Sequence, residues 1–215
     1  RADFREEDMK SILIANPKGG SGKSTLATNL AGYFARCGHR VMLGDTDRQQ
    51  SAREWLGIRS DTLPLIRTWD VGKDLPARPP KDTTHVVLDS PAGLHGKPLE
   101  RMLKQVSRVI VPVQPSLFDI LATRHFLDTL LEEKAVRKER AFVAVVGMRI
   151  DPRTRAAGEL DRFLASYDLP ALACLRDTQL YVQLAANGMT LFDLSPARAE
   201  KDVAQWQPII DWVDA

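Results

Sequence analysis

Two lysines, Lys18 and Lys23, stand five residues apart in the stretch NPKGGSGKST, Asn16 to Thr25, where a phosphate-binding loop needs one. Gly19, Gly20 and Gly22 let the backbone wrap with its N–H groups turned inward, and a helix opening at Ser24 adds the positive end of its dipole. In that frame Lys23 reaches the β- and γ-phosphates of ATP, the Ser24 hydroxyl reaches Mg²⁺, and Ser21 and Thr25 complete the cradle. A glycine-rich turn with no ligand is the bland alternative. It is disfavoured because a GGxGK[ST] string arises by chance in such a chain less than about once in a thousand. The loop departs from the common G-x-x-x-x-G-K-[ST] form: Pro17 stands at the first glycine and Lys18 follows it. Loop chemistry alone therefore leaves Lys18 without a role.

Acidic residues supply the rest of the chemistry. Asp89 ends the apolar run HVVLD, where a carboxylate can hold the water shell of Mg²⁺ as a Walker B acid does. A strand-terminal Asp is also a common helix cap, and the upstream loop tips the choice toward the metal. SPAG, Ser90 to Gly93, is a flexible turn suited to sensing the γ-phosphate. The segment GDTDRQQSA places Asp45 and Asp47 after another apolar run, at the carboxyl edge where open α/β sheets bind ligands. Two carboxylates beside a phosphate are costly unless metal or water uses them. One of them would support the Mg²⁺ shell and the other would orient the attacking water.

The elements that must position these groups alternate regularly. Apolar runs at Ser11–Asn16, Arg40–Asp45, Leu63–Thr68, His85–Ser90, Arg108–Val113, Ala141–Met148 and Ala171–Leu175 read as buried strands. Helical patterns fall at Ser24–Arg36, Leu117–Val136, Ala156–Tyr167, Thr178–Ala186 and Ala199–Val213. This is the signature of an α/β, doubly wound, mostly parallel sheet flanked by helices. The proline-rich stretch Asp74–Asp82 reads as a surface loop because strands continue on both sides of it. Residues 1–8 are polar and precede Met9, so they read as a flexible or foreign tail, with one ATPase domain over 9–215.

Composition narrows the class. A length of 215 residues at 44% hydrophobic buries one sizeable core. The formal net charge of +2 permits a basic patch without announcing nucleic-acid binding. Cys37 and Cys174 form no CxxC pair, which argues against a zinc site or an iron–sulfur cluster held within one chain and fits a reducing compartment. No apolar run approaches 18 residues and no signal-peptide pattern opens the chain, so a soluble, cytoplasmic protein is expected.

Taken together, PKGGSGKST resembles the deviant Walker A motif, DTDRQQSA the second acidic motif and VVLDSPAG the Walker B motif of the ParA/MinD family of ATPases. VIVPVQPS (Val109–Ser116) and LRDTQLYVQLAANGMTLFD (Leu175–Asp193) are also similar to that family, so the resemblance runs nearly the whole chain. The short length without a leading helix-turn-helix domain is similar to the small ParF-type partition proteins. The resemblance implies a P-loop fold and gives Lys18 a role, because the family's signature lysine crosses an ATP-bridged homodimer to the partner subunit's phosphates. A lysine in a dry interface gains far more from a phosphate than one in water, which makes that role physically sound.

Residue by residue, the resemblance implies phosphate and Mg²⁺ binding by Lys23 and Ser24, metal support from Asp89 and Asp45, and a water-positioning role for Asp47. Two positions depart from the pattern. Arg48 follows the second Asp where a proline is usual, and Gly44 replaces an aliphatic residue, both in the segment that senses the γ-phosphate. For the base, the resemblance points to Met148 and Arg149 and to the turn around Arg176. Arg149, Arg153, Arg155 and Arg176 are its candidates for non-specific DNA contacts, which would weaken sharply with salt. Local pairing with Asp151 and Asp177 is the structural alternative for these arginines. The run EEKAVRKER, Glu132 to Arg140, carries both signs and reads as a solvated helix end.

Within the family, a membrane-targeting C-terminal helix would be basic on its polar face. Here Val203, Trp206, Ile210 and Val213 are flanked by Glu200, Asp202, Asp211 and Asp214, which favours core packing and no membrane. The implied function is an ATP-dependent dimerising switch that coats nucleoid DNA and, with a ParB-like or other adaptor, segregates or positions a cargo. A dethiobiotin synthetase-like ligase is the main alternative. It would need a substrate pocket, and the second acidic motif favours the switch. A metal-insertion or electron-transfer ATPase is a third, weakened by the cysteine spacing.

Overall fold

The computed structural model describes residues 9–47, 50–69 and 78–215. The polar segment 1–8, Arg48 and residues 74–77 of the proline-rich loop lie outside the described residues.

All seven apolar runs become strands: β1 (Lys10–Ile14), β2 (Val41–Asp45), β3 (Ile66–Arg67), β4 (His85–Asp89), β5 (Arg108–Val113), β6 (Phe142–Ile150) and β7 (Ala171–Arg176). They form one sheet in the order β3-β2-β4-β1-β5-β6-β7, and every neighbouring pair is parallel. Parallel pairing requires a crossover between successive strands, which explains why helices alternate with the runs. The helices are α1 (Lys23–Arg36), α2 (Ser51–Ile58), α3 (Gly96–Leu103), α4 (Leu117–Glu132), α5 (Lys134–Arg137), α6 (Arg155–Ala165), α7 (Leu180–Ala186) and α8 (Pro196–Asp214).

Helices cover both faces, so the strands have no solvent side and can be apolar throughout. Ile12 and Ile14 of β1 pack with α1, α2, α7 and α8 on one face. Leu13 of the same strand packs with α3, α4 and α6 on the other. In α8, Trp206 and Val213 are fully buried in the first core while Glu200, Asp211 and Asp214 face solvent, as core packing requires. No helix among the described residues is long and apolar enough to cross a membrane.

Three local features differ from the sequence pattern. Helices α2 and α3, at eight residues each, are too short to declare a period. The pattern over 117–136 is two helices, because Glu133 adopts an extended backbone (φ −63°, ψ 136°) between α4 and α5. Gly44 is backed by Trp69: a Cβ there would lie 2.7 Å from the Trp69 ring and 2.7 Å from Leu88. The missing aliphatic side chain thus leaves no hole, because a tryptophan from the segment after β3 fills its space.

Candidate nucleotide site

The chain leaves β1 toward β4 on one side and β5 on the other, and a crevice forms at the carboxyl ends of these strands. Register explains which residues meet there. Ile14 of β1 lies opposite Asp89 of β4, and Asp89 lies opposite Asp45 of β2. The two carboxylates therefore reach the edge at the same level as the start of the loop 16–22.

That loop is stitched on every side. Buried Asn16 donates from Nδ2 to the Pro112 carbonyl at 2.7 Å and to Thr123 Oγ1 at 3.0 Å, while its Oδ1 accepts the Lys18 amide at 2.8 Å. Gly93 N of the SPAG turn donates to the Pro17 carbonyl at 2.9 Å. Gln114, after β5, donates its side-chain amide to the Gly20 carbonyl. Gly22 has φ +102°, and a Cβ there would lie 2.8 Å from Met148 Cε, so conformation and packing both demand glycine. With Gly22 as its N-cap, α1 begins without any side-chain cap, which leaves its first amides available to an anion.

The two lysines take opposite directions. Lys23 is buried; its Nζ donates to the Lys18 carbonyl at 2.9 Å and lies 3.4 Å from Ser21 Oγ, inside the loop's own ring. Burial lowers its pKa, partly offset by Asp89 and Asp47. The Lys18 side chain leaves the loop altogether and meets Asp119 Oδ2 of α4 at 3.1 Å. Around that contact the first turns of α4 expose Leu117, Phe118 and Leu121, three of the eight exposed large hydrophobics among the described residues.

Ser24 Oγ donates to Asp89 Oδ2 at 2.7 Å. Burial pushes the Asp89 carboxyl up to about 7, with Asp45 and Asp47 adding to the rise and Ser24 and Lys23 opposing it. A buried carboxylate beside a hydroxyl is a pair of hard oxygen donors short of a cation, which is the chemistry Mg²⁺ takes. No cluster of three His, Cys, Asp or Glu side chains able to hold a metal occurs among the described residues, so remaining positions would fall to nucleotide and water.

Asp45 is otherwise occupied. Its Oδ1 accepts Asp47 N at 3.0 Å, and its Oδ2 accepts Ala52 N at 2.9 Å and Arg53 N at 3.2 Å. It caps the start of α2, a part that its place at the strand edge does not reveal. Asp47 lies close enough to Lys23 and Asp89 to act on both electrostatically. At the other end of α2, Arg59 forms a buried pair with Asp193 at 2.7 Å and also donates to the Gly188 and Pro64 carbonyls.

The residues assigned to base and DNA separate. Met148 is buried against Gly22, whereas Arg149 is exposed with a left-handed backbone (φ 53°) at the irregular end of β6. Arg153 and Arg155 are exposed and pair with Asp151 and Glu159. Arg176 makes a two-point contact with buried Asp202 of α8, at 2.6 and 2.9 Å. Its partner is therefore the distant Asp202 and not the adjacent Asp177.

A family model described as the CobQ/CobB/MinD/ParA nucleotide binding domain matches residues 12–191. The chain is 30% identical to the chromosome-partitioning ATPase Soj of Thermus thermophilus, over 74% of this chain and 77% of that one. It is 26% identical to maintenance of carboxysome distribution protein A of Gloeobacter kilaueensis, over 94% and 93%. Among solved structures, an ATP complex of McdA from Cyanothece overlays with a TM-score of 0.72 at 14% identity, covering 94% of this chain and 96% of that one, which speaks for the fold. With the match spanning the loop, both acidic strand ends and the helices that hold them, the chain belongs to the ParA/MinD family of P-loop nucleotide-binding proteins.

Proposed function

We propose that this chain is a ParA-type ATPase switch: Mg²⁺–ATP joins two subunits, the dimer binds DNA without sequence preference, and an adaptor protein triggers hydrolysis and release. The observation that carries this reading is the divergence of the two lysines. Lys23 fills the loop's own phosphate cradle, and Lys18 points out of it to Asp119 of α4, a helix whose first turns expose Leu117, Phe118 and Leu121. A second subunit would cover those turns and receive the lysine on its nucleotide. Its relatives are named for chromosome partitioning and for carboxysome distribution, which supports segregation or positioning of a cargo over the nucleoid.

Within the site, Ser24 and Asp89 would hold Mg²⁺, which neutralises phosphate charge when bound. Lys23 and the amides of the loop bind the phosphates, and Asp47 orients water for attack. Asp45 sets the position of the Asp47 segment through its caps. Arg149, Arg153 and Arg155 are the proposed phosphate contacts to DNA; exposed pairs such as those with Asp151 and Glu159 are worth little and exchange readily for DNA phosphates. Arg176, bound to Asp202, serves the fold first.

The test is binding to random-sequence duplex DNA with Mg²⁺–ATP and with Mg²⁺–ADP across a salt series, for the parent chain and Lys18→Ala. Binding only with ATP, falling with salt and absent in Lys18→Ala is the expected result. ATP binding with no DNA binding in either nucleotide state would reject the switch and favour a small-molecule ligase.

A further inference from the structure

We propose that Asp119 is a positioning residue for Lys18: it holds the ammonium on α4 in the single subunit and surrenders it when a second, ATP-loaded copy arrives. The inference rests on the reading above, in which Lys18 crosses to the partner's phosphates. Three observations carry it. First, the Lys18 backbone is fixed while its side chain is not: its amide is bound by Asn16 Oδ1 and its carbonyl by Lys23 Nζ, yet the side chain remains 39% exposed. Only the side chain has to move.

Second, Lys18 is not the sole partner of Asp119. Its side chain is 12% exposed, receives the Ser116 hydroxyl and lies in the first turn of α4, where the helix dipole favours a carboxylate. Departure of the lysine therefore leaves the carboxylate with the Ser116 hydroxyl and the N-terminal turn of α4. The Arg59–Asp193 pair, with side chains 4% and 0% exposed, could not exchange in this way.

Third, the clasp sits between the phosphate loop and the apolar turn. Gln114 holds the loop at Gly20, and the same first turns of α4 that carry Asp119 expose Leu117, Phe118 and Leu121. A copy covering that turn removes water from the clasp. A nearby phosphate then offers Lys18 more charge than one carboxylate.

The clasp opposes dimerisation by its own strength. A partly exposed pair contributes about 0.2–1 kcal/mol, and one breaks in each subunit, so removing both should raise the dimerisation constant roughly 2- to 30-fold. Sedimentation velocity with Mg²⁺–ATPγS on the parent chain, Asp119→Asn, Asp119→Glu, Lys18→Ala and the Asp119→Asn/Lys18→Ala double variant reads this directly. Asp119→Asn should dimerise at lower protein concentration, Asp119→Glu should return toward the parent, and the double variant should match Lys18→Ala. A merely structural Asp119 would give an Asn variant that dimerises no better than the parent. That outcome, or a gain that persists without Lys18, overturns the proposal while leaving the switch intact. A parent chain that stays monomeric at every nucleotide concentration overturns both.

Discussion

Replacing Asp89 by Asn should make the ligand-free protein more stable at alkaline pH and less stable at acid pH, while abolishing Mg²⁺-dependent nucleotide binding. The carboxyl is moved from 3.8 to about 7 by burial. At about 1.36 kcal/mol per pH unit, ionising it in the fold costs about 4 kcal/mol. The sign follows from linkage. Below pH 3.8 folded and unfolded chains both keep the proton, and the cost is absent. Between 3.8 and about 7 the unfolded chain ionises while the folded one resists, so the parent loses stability as pH rises; above about 7 the loss is complete. The Asn side chain still accepts the Ser24 hydroxyl through Oδ1, but its buried NH₂ has no carboxylate-like partner, a penalty of about 2 kcal/mol at every pH. The difference should thus run from about 2 kcal/mol against the variant near pH 4 to about 2 kcal/mol in its favour at about pH 8. In a domain of this size that is a gain of about 4–8 °C in Tm at the alkaline end. Thermal melts in EDTA without nucleotide, from about pH 4 to about pH 8.5, measure it. His85, whose pKa burial and His39 lower to about 4, titrates across the same window in both proteins and cancels in the comparison. A variant less stable than the parent at every pH would refute the reasoning.

Gly22→Ala should cost about 1–3 kcal/mol, because φ +102° and a Cβ 2.8 Å from Met148 Cε are both unfavourable. Calorimetric titration with Mg²⁺–ATP should show at least about a tenfold weaker affinity, whereas Gly57→Ala, with open space at its Cβ, should bind as the parent does. Arg59→Met should strand buried Asp193 and lower stability by about 3–5 kcal/mol in a denaturant titration; a loss under about 1 kcal/mol would contradict the burial.

The strands were legible because burial on both faces writes continuous apolar runs into the sequence, and all seven appear within a few residues of their expected limits. The phosphate loop was legible for a different reason: its glycines and lysine are local. What the sequence concealed is mostly long-range. Asp119 lies 101 residues from Lys18, and no spacing connects them. Trp69 filling the space at Gly44, and Asp202 taking Arg176, likewise depend on how the chain returns to itself. Asp45 is legible as an edge carboxylate, but its work as a cap is not, because α2, at eight residues, gives too weak a helical signal to reveal what it caps.

Held at both ends, α2 behaves as a short rod with a pivot. Asp45 grips its start through two amides, those of Ala52 and Arg53, and Arg59, locked to Asp193, Gly188 and Pro64, anchors its far end. An eight-residue helix is about 12 Å long, so a displacement of about 1 Å at the Asp45 end turns the rod by about 5° around the Arg59 anchor. The pivot is seated against the 3-10 turn Leu191–Asp193 that follows α7. A small shift of Asp45 at the strand edge would therefore reach the opposite end of the rod, at the Arg59–Asp193 pair, as a rotation.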